Sequence, residues 1–201
     1  MHLKGNFNAD LKKEQRLAPL LDKIYTSKLK HYYFERIKDL NQQHKGVDVL
    51  FKHKKTGVIY SIDEKAQLDY TNEDLPTFAF ELTYLKDANE KKGWLFDNKK
   101  KTDFYALITA IFLDGGEYSS CKITLVNRKK LIEKINAYGI HQAKLFAHRK
   151  PDTHGKISIK QLNPKKEGYL FLSSKNKVEQ PLNLILRLDW LLETKIAKRL
   201  I

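Results

Sequence analysis

The chain has 201 residues, of which 41% are hydrophobic and one is cysteine, and its 38 Lys and Arg against 24 Asp and Glu leave a formal net charge of +14. That length suits a single domain with a sizeable core, and the charge attracts polyanions, nucleic acid foremost. No apolar run approaches the roughly 20 residues of a membrane span, no basic amphipathic helix marks a membrane surface, and the lone Cys121 excludes an internal disulfide.

Residues 1–6 carry no apolar stretch followed by a small-residue cleavage site, so a cytoplasmic protein is expected. Leu17, Leu20, Leu21 and Ile24 repeat on one helical face, which predicts a first helix within 10–27. A start at Asp10 puts Pro19 inside the helix, whereas a start near Pro19 puts proline where it is tolerated. Tyr32 to Ile37 is aromatic and branched and predicts a strand, ended by the polar run Asp39 to Lys45. Gly46 opens a second strand, Val47 to Phe51, and Lys52 to Gly57 turns the chain into a third, Val58 to Gln67. Thr77 to Leu85 and Gly93 to Phe96 predict a further pair of strands joined by the charged loop 86–92. Phe104 to Leu113 suits a strand buried on both faces and ended by Gly115 and Gly116, and Ile123 to Val126 another. Asn127 reads as the cap of a helix through Leu131, Ile132 and Ile135 that stops at Gly139. Residues 148–168 predict a long loop or irregular hairpin around Ile157 to Ile159. Strands at Tyr169 to Leu172 and Leu184 to Leu188 follow, then a final helix capped by Asp189 and running through Trp190, Leu191, Leu192, Ile196 and Leu200. The histidines, His148 and His154 among them, have no zinc-site spacing.

The chemistry concentrates in the second and third strands. Alternate strand residues share a face, so Ser61, Asp63, Lys65 and Gln67 point one way and Tyr60, Ile62, Glu64 and Ala66 the other. Asp48 lies fifteen residues before Asp63, and antiparallel pairing returns the chain so that the two acids converge. A hard cation such as Mg²⁺, with Mn²⁺ as a substitute, prefers such oxygens, lowers the pKa of a bound water and neutralises phosphoryl charge. Asp48 and Asp63 are the expected metal ligands, with the backbone carbonyl of Glu64 as a third. Lys65 then orients the attacking water or stabilises charge on the phosphate, and Gln67 positions water or phosphate. Asp48 is flanked by Val47, Val49 and Leu50, a setting in which an unpartnered carboxylate is costly. Glu81, within Phe78 to Leu82, is a second acid in an apolar run and a further candidate ligand or substrate contact.

These residues resemble the motif of the PD-(D/E)xK, or restriction-endonuclease-like, nucleases. Asp48 stands as the first acid and Asp63-Glu64-Lys65 as the acid-x-lysine element, each on an apolar strand after a helix and a preceding strand. Val47 replaces the proline of the family name, and the resemblance covers mainly residues 10–70. It implies an α/β fold with a mixed central sheet flanked by helices, extra C-terminal strands and a final helix. It implies one domain over 1–201, with a motif core at about 10–113 and 114–201 completing the sheet. It also implies that Asp48 and Asp63 bind the ion, that Lys65 assists catalysis, and that an acid of the first helix, here Glu14, joins them.

Lys52, Lys54, Lys55, Lys99, Lys100, Lys101 and Arg128 are the expected phosphate contacts. The expected function is a divalent-metal-dependent DNA nuclease, an endonuclease rather than an exonuclease, and cutting both strands of a duplex would favour a homodimer. Two other readings use the same residues: an inactive basic nucleic-acid-binding protein of this fold, and an RNA-directed nuclease.

Overall fold

A computed structural model describes residues 7–87, 89–141, 153–175 and 179–201. The predicted signal-free start (1–6), His148 and the first part of the predicted 148–168 loop fall outside the described residues. Helix α1 (Phe7–Lys28) takes the earlier of the two starts, with Pro19 inside it. Proline removes the bond that the Gln15 carbonyl would accept, at a cost of about 3 kcal/mol. Burial of Leu17, Leu21, Ile24 and Tyr25 in one core, each contributing roughly 1.5–3 kcal/mol, outweighs it.

Strand β1 (Tyr32–Arg36), helix α2 (Leu40–His44), β2 (Val49–His53) and β3 (Ile59–Ala66) follow. The polar run after β1 is more than a break, because Asp39 caps α2, its Oδ1 accepting from the Asn41 N–H at 2.8 Å. Val47 is held by that turn, donating its N–H to the Gln42 carbonyl at 3.1 Å, so β2 begins two residues later than expected. Strands β1, β2 and β3 form an antiparallel meander with Arg36 opposite Val49 and Val49 opposite Ile62. Next to β3 lies β6 (Phe104–Asp114), parallel to it, with Ile62 opposite Phe104. Then come β7 (Glu117–Asn127) and β11 (Ala197–Arg199), both antiparallel, which gives a mixed six-stranded sheet of order β1-β2-β3-β6-β7-β11.

The core of this sheet lies against α1. Tyr25 meets Phe34 and Phe51 edge to face, at ring separations of 5.7 and 5.1 Å. Ile62, Ala106, Ile108, Ile111 and Ile123 complete the cluster, and Cys121 is buried in it, where burial pushes its thiol up to about 11. Strand β6 is buried without interruption from Tyr105 to Ile111, as its apolar run predicts.

The remaining five strands form a second sheet. Strands β4 (Thr77–Lys86), β5 (Asn89–Lys92), β8 (Gly155–Ile157), β9 (Gly168–Leu172) and β10 (Leu182–Arg187) pair antiparallel in the order β5-β4-β10-β9-β8. The chain thus divides into two compact units, one of residues 7–75, 99–128 and 195–201, the other of 76–98 and 129–194. The expectation that 114–201 completes a single sheet is corrected: β7 and β11 extend the first sheet, while β8, β9 and β10 join β4 and β5.

Two further elements differ from expectation. The partner of β4 is the charged segment β5 rather than Gly93 to Phe96, because Gly93 sits on the Glu81 backbone. A Cβ there would lie 2.4 Å from the Glu81 carbonyl oxygen, and the chain turns away at Trp94. The last helix, α4 (Leu188–Glu193), is one short stretch and has no side-chain cap at its start. The left-handed Lys195, at φ +57°, stops it, so Ile196 and Leu200 flank or follow β11 instead of extending a helix. Helix α3 (Arg128–Ala137) buries Leu131 and Ile135 as expected. No helix among the described residues is long and apolar enough to cross a membrane.

Phe51 is the ring on which α1 and the meander converge. Phe51→Ala is expected to lower unfolding free energy by roughly 3–5 kcal/mol, read as a fall in the urea midpoint at unchanged slope.

Candidate active site

The site begins where β2 stops covering β3. The Asp48 N–H donates to the Ile62 carbonyl at 2.8 Å, continuing the ladder one residue beyond the strand. This bond is one residue out of the Val49–Ile62 register, and it leaves Asp48 close enough to Asp63 for their charges to act on each other. At the next step the Asp48 side chain replaces the missing backbone, its Oδ2 accepting from the Glu64 N–H at 2.8 Å. The two acids therefore converge as the strand pairing predicts.

Asp63 is 1% exposed. Its Oδ1 accepts from the Lys65 ammonium at 2.5 Å, while Oδ2 is buried with no hydrogen-bond donor among the described residues. A loop that opens at Gly46 closes over it. Gly46 has φ +73°, and a Cβ there would lie 2.4 Å from Thr102 Oγ1 and 3.0 Å from Asp63 Oδ2, so only glycine fits both the conformation and the space. Thr102 secures the loop by donating to the Gly46 carbonyl at 2.9 Å, and the Lys101 N–H binds the Lys45 carbonyl at 2.7 Å.

Electrostatics separate the roles of these groups. Burial raises the Asp48 carboxyl, and the charge of Asp63 raises it further, to about 7, against the opposing pull of Lys65 and the Glu64 N–H. Burial also works against the Lys65 charge, but Asp63, then Asp48 and Glu14, more than compensate and hold its pKa above the ordinary lysine range. Lys65 is an ammonium at any working pH, which makes it a donor and not a base.

Glu64 faces α1, as its strand parity predicts, and is fully engaged. It accepts from Tyr25 OH at 2.7 Å and from Arg36 Nη1 at 2.6 Å. Arg36 also reaches Asp22 Oδ1 at 2.6 Å. Burial opposes the Arg36 charge and these bonds overcome it, so its pKa rises. The Tyr25 hydroxyl moves well above its ordinary value through burial and the neighbouring Glu64. The Glu64 side chain is thus a fastening between α1, β1 and β3. Its N–H and C=O leave the strand on the Asp48 edge, which keeps the carbonyl on the side where a cation would lie.

A cavity of about 360 Å³ opens on this edge and is lined by Glu14, Arg36, Lys38, Asp48, Glu64 and Ala66 among others. Glu14 of α1 thereby shares this cavity with Asp48, while Asp63 and Lys65 are not among its lining residues; the charge of Glu14 nonetheless acts on Lys65. Gln67 lies just past β3, its N–H donating to the Ile108 carbonyl at 3.0 Å. Glu81 is carried by β4 in the other unit and is not on the sheet that holds Asp63. Of the basic residues, Lys52, Lys55, Lys99 and Lys101 are exposed. Lys54 lies over the Tyr33 ring, 4.9 Å from its centroid, Lys100 donates to the His44 carbonyl at 2.9 Å, and Arg128 donates to Tyr105 OH at 3.0 Å.

Sequence reasoning missed Arg36, Tyr25, Thr102 and the role of Gly46. A usable signal existed for Arg36: it alternates in phase with Tyr32 and Phe34, so it points to the core, where a cation requires a carboxylate. Glu64, in phase with Ile62, is that carboxylate.

No family model matches the chain, and neither a curated protein nor a solved structure does.

The raised Asp48 pKa sets the direction of a pH effect. Between about pH 4 and 7 the native state holds a proton that the unfolded chain releases, so this contribution to stability is present in acid and is lost as pH rises through 7. Asp48→Asn is expected to match the parent near pH 4 and to exceed it at pH 8 in urea unfolding. Parallel pH profiles would contradict the burial of an ionisable Asp48. Gly46→Ala is expected to destabilise by roughly 1–3 kcal/mol through its left-handed φ and the contact with Thr102, read in the same unfolding experiment.

Proposed function

We propose that the protein is a divalent-metal-dependent nuclease of the restriction-endonuclease-like kind, acting on DNA. The observation that carries this reading is Asp63, whose charge acts on Asp48 and which is bound to Lys65, with a second carboxylate oxygen that is buried and claimed by no described donor. A buried anionic oxygen without a partner is costly, and a cation satisfies it.

The donor set suits Mg²⁺ or Mn²⁺. All the groups are hard oxygens: the carboxylates of Asp48 and Asp63, and the carbonyl of Glu64. Among the described residues no three His, Cys, Asp or Glu side chains gather to hold a metal ion. Mg²⁺ keeps several waters and takes one or two carboxylates. When bound, the ion supplies a more acidic water and neutralises phosphoryl charge.

The chain's own groups then divide the work. Asp48 and Asp63 would hold the ion. Lys65 directs its ammonium at the charge that develops on the scissile phosphate, and Asp63 holds that ammonium in place. Glu64 keeps Asp48 oriented through its backbone N–H, and the bonds to Tyr25 and Arg36 prevent that amide from moving. Glu14, which lines one cavity with Asp48, is the further acid that the motif would use. The exposed lysines and the net charge of +14 draw the polyanion in, so affinity falls steeply with salt.

The purified protein is expected to cut DNA in Mg²⁺ or Mn²⁺ and to stop in chelator. Asp63→Ala and Lys65→Ala should each lower the rate at least about a hundredfold with circular dichroism unchanged, and Asp63→Ala should also lose calorimetric binding of Mn²⁺. Cleavage undiminished in both variants removes the assignment. A parallel digestion of RNA distinguishes the two nucleic acids as substrates.

A further inference from the structure

The outward face of the β1-β2-β3 meander carries a feature that the acidic site does not use. The aromatic residues of these strands are divided unevenly between the two faces. Tyr32, Phe34, Phe51 and Tyr60 lie on the α1 side, where Phe34 packs on Tyr25, and Tyr32 stands 6.4 Å from both Phe51 and Tyr60. Tyr33 alone points outward and is 63% exposed. The register places it opposite Lys52, and Lys52 opposite Ile59, so the three share one face in a continuous row across three strands. Ile59 is 53% exposed and Val58 beside it is also exposed. The Lys54 ammonium lies 4.9 Å from the centre of the Tyr33 ring. The row stands four residues along β2 and β3 from Asp48 and Asp63, about 13 Å at the rise of a strand.

We propose that this row is a stacking platform for an unpaired base, so that the nucleic acid is engaged through a single-stranded segment next to the cleavage site. The inference rests on the nuclease reading for the identity of the polymer. Tyr33 offers a rigid π surface on the sheet, Ile59 extends it, and Lys52 and Lys54 stand where the adjoining phosphates would pass. Stacking on such a ring is indifferent to base identity because every base has a π face, and the Lys54 ammonium, held over one face of the ring, adds attraction for an anionic strand. Charge selects the occupant: this end of the meander carries Lys52, Lys54 and Lys55, and the one acid on the outward face of β1 is Glu35, two residues away.

The test is fluorescence anisotropy in chelator, where cleavage is absent, with a labelled single-stranded DNA and the duplex of the same sequence. Tyr33→Ala is expected to weaken single-strand binding at least about fivefold and duplex binding less than twofold, with the salt dependence unchanged. Tyr33→Phe should bind as the parent does. Lys52→Ala should weaken both forms and make the salt dependence shallower. Unchanged single-strand affinity in Tyr33→Ala, or an equal loss on both forms, overturns the platform. So does a concentration-dependent dimer that Tyr33→Ala dissolves while DNA affinity stays intact, since the face would then belong to a second copy of the chain. Because the readout is binding without divalent ions, a protein that binds as expected yet cuts nothing overturns the nuclease reading alone.

Discussion

The hydrogen bond from the Glu64 N–H to Asp48 Oδ2, at 2.8 Å, is the contact on which the site depends. A strand whose neighbour ends leaves an edge of unpaired backbone groups, and folded chains cover such groups or solvate them. Here a carboxylate takes the place of the missing strand. The cost of bringing an acid into an apolar run is thereby partly met by backbone, and the acid is held in the position where its charge opposes that of Asp63. The raised pKa of Asp48 follows from that arrangement, with burial first and the neighbouring acid second.

Charge on β3 is sorted by strand parity. Glu64 points to α1, where Arg36 and Tyr25 satisfy it and Asp22 shares the arginine. Asp63 and Lys65 point to the opposite face. One carboxylate is committed to structure and the other to the site, although they are adjacent in the chain. Two acids against one ammonium leave the centre with one negative charge when all three are ionised, within a protein of net charge +14. On the proposed reading such a centre would draw a cation, and the surrounding surface a polyanion.

The hairpin was legible because two independent signals agreed: period-two alternation gave the faces of Asp63, Glu64 and Lys65, and the turn at 52–57 gave the return of the chain. The early start of α1 was legible only as one of two choices, since local propensity argues against Pro19 in a helix interior and tertiary burial decides the matter. The second sheet was hidden because period two identifies strands and not their partners. Thr77 to Lys86 and Leu182 to Arg187 alternate like any half-buried strand, and nothing in either says that they pair across 99 to 110 residues. The loop over Asp63 was hidden for a similar reason. Gly46 reads only as the opening of a strand, and Thr102 carries no signal, until the fold brings them into contact.

The route of the chain explains how a site can be built beside so large an excursion. The parallel pairing of β3 with β6 requires a crossover, and here the crossover includes β4 and β5 of the other unit. The chain returns at Lys99 to Thr102, where the Lys101 N–H is bound to the Lys45 carbonyl, the Thr102 hydroxyl to the Gly46 carbonyl, and the Asp103 N–H to the Ser61 carbonyl at 2.9 Å. Each partner belongs to the sheet of the site or to the loop above Asp63. The return point is therefore fixed by bonds within that unit, and the segment that re-enters the sheet is the same one that covers the buried carboxylate. Placement of β6 and closure over Asp63 are one event, which makes the integrity of the site a consequence of the central strand pairing.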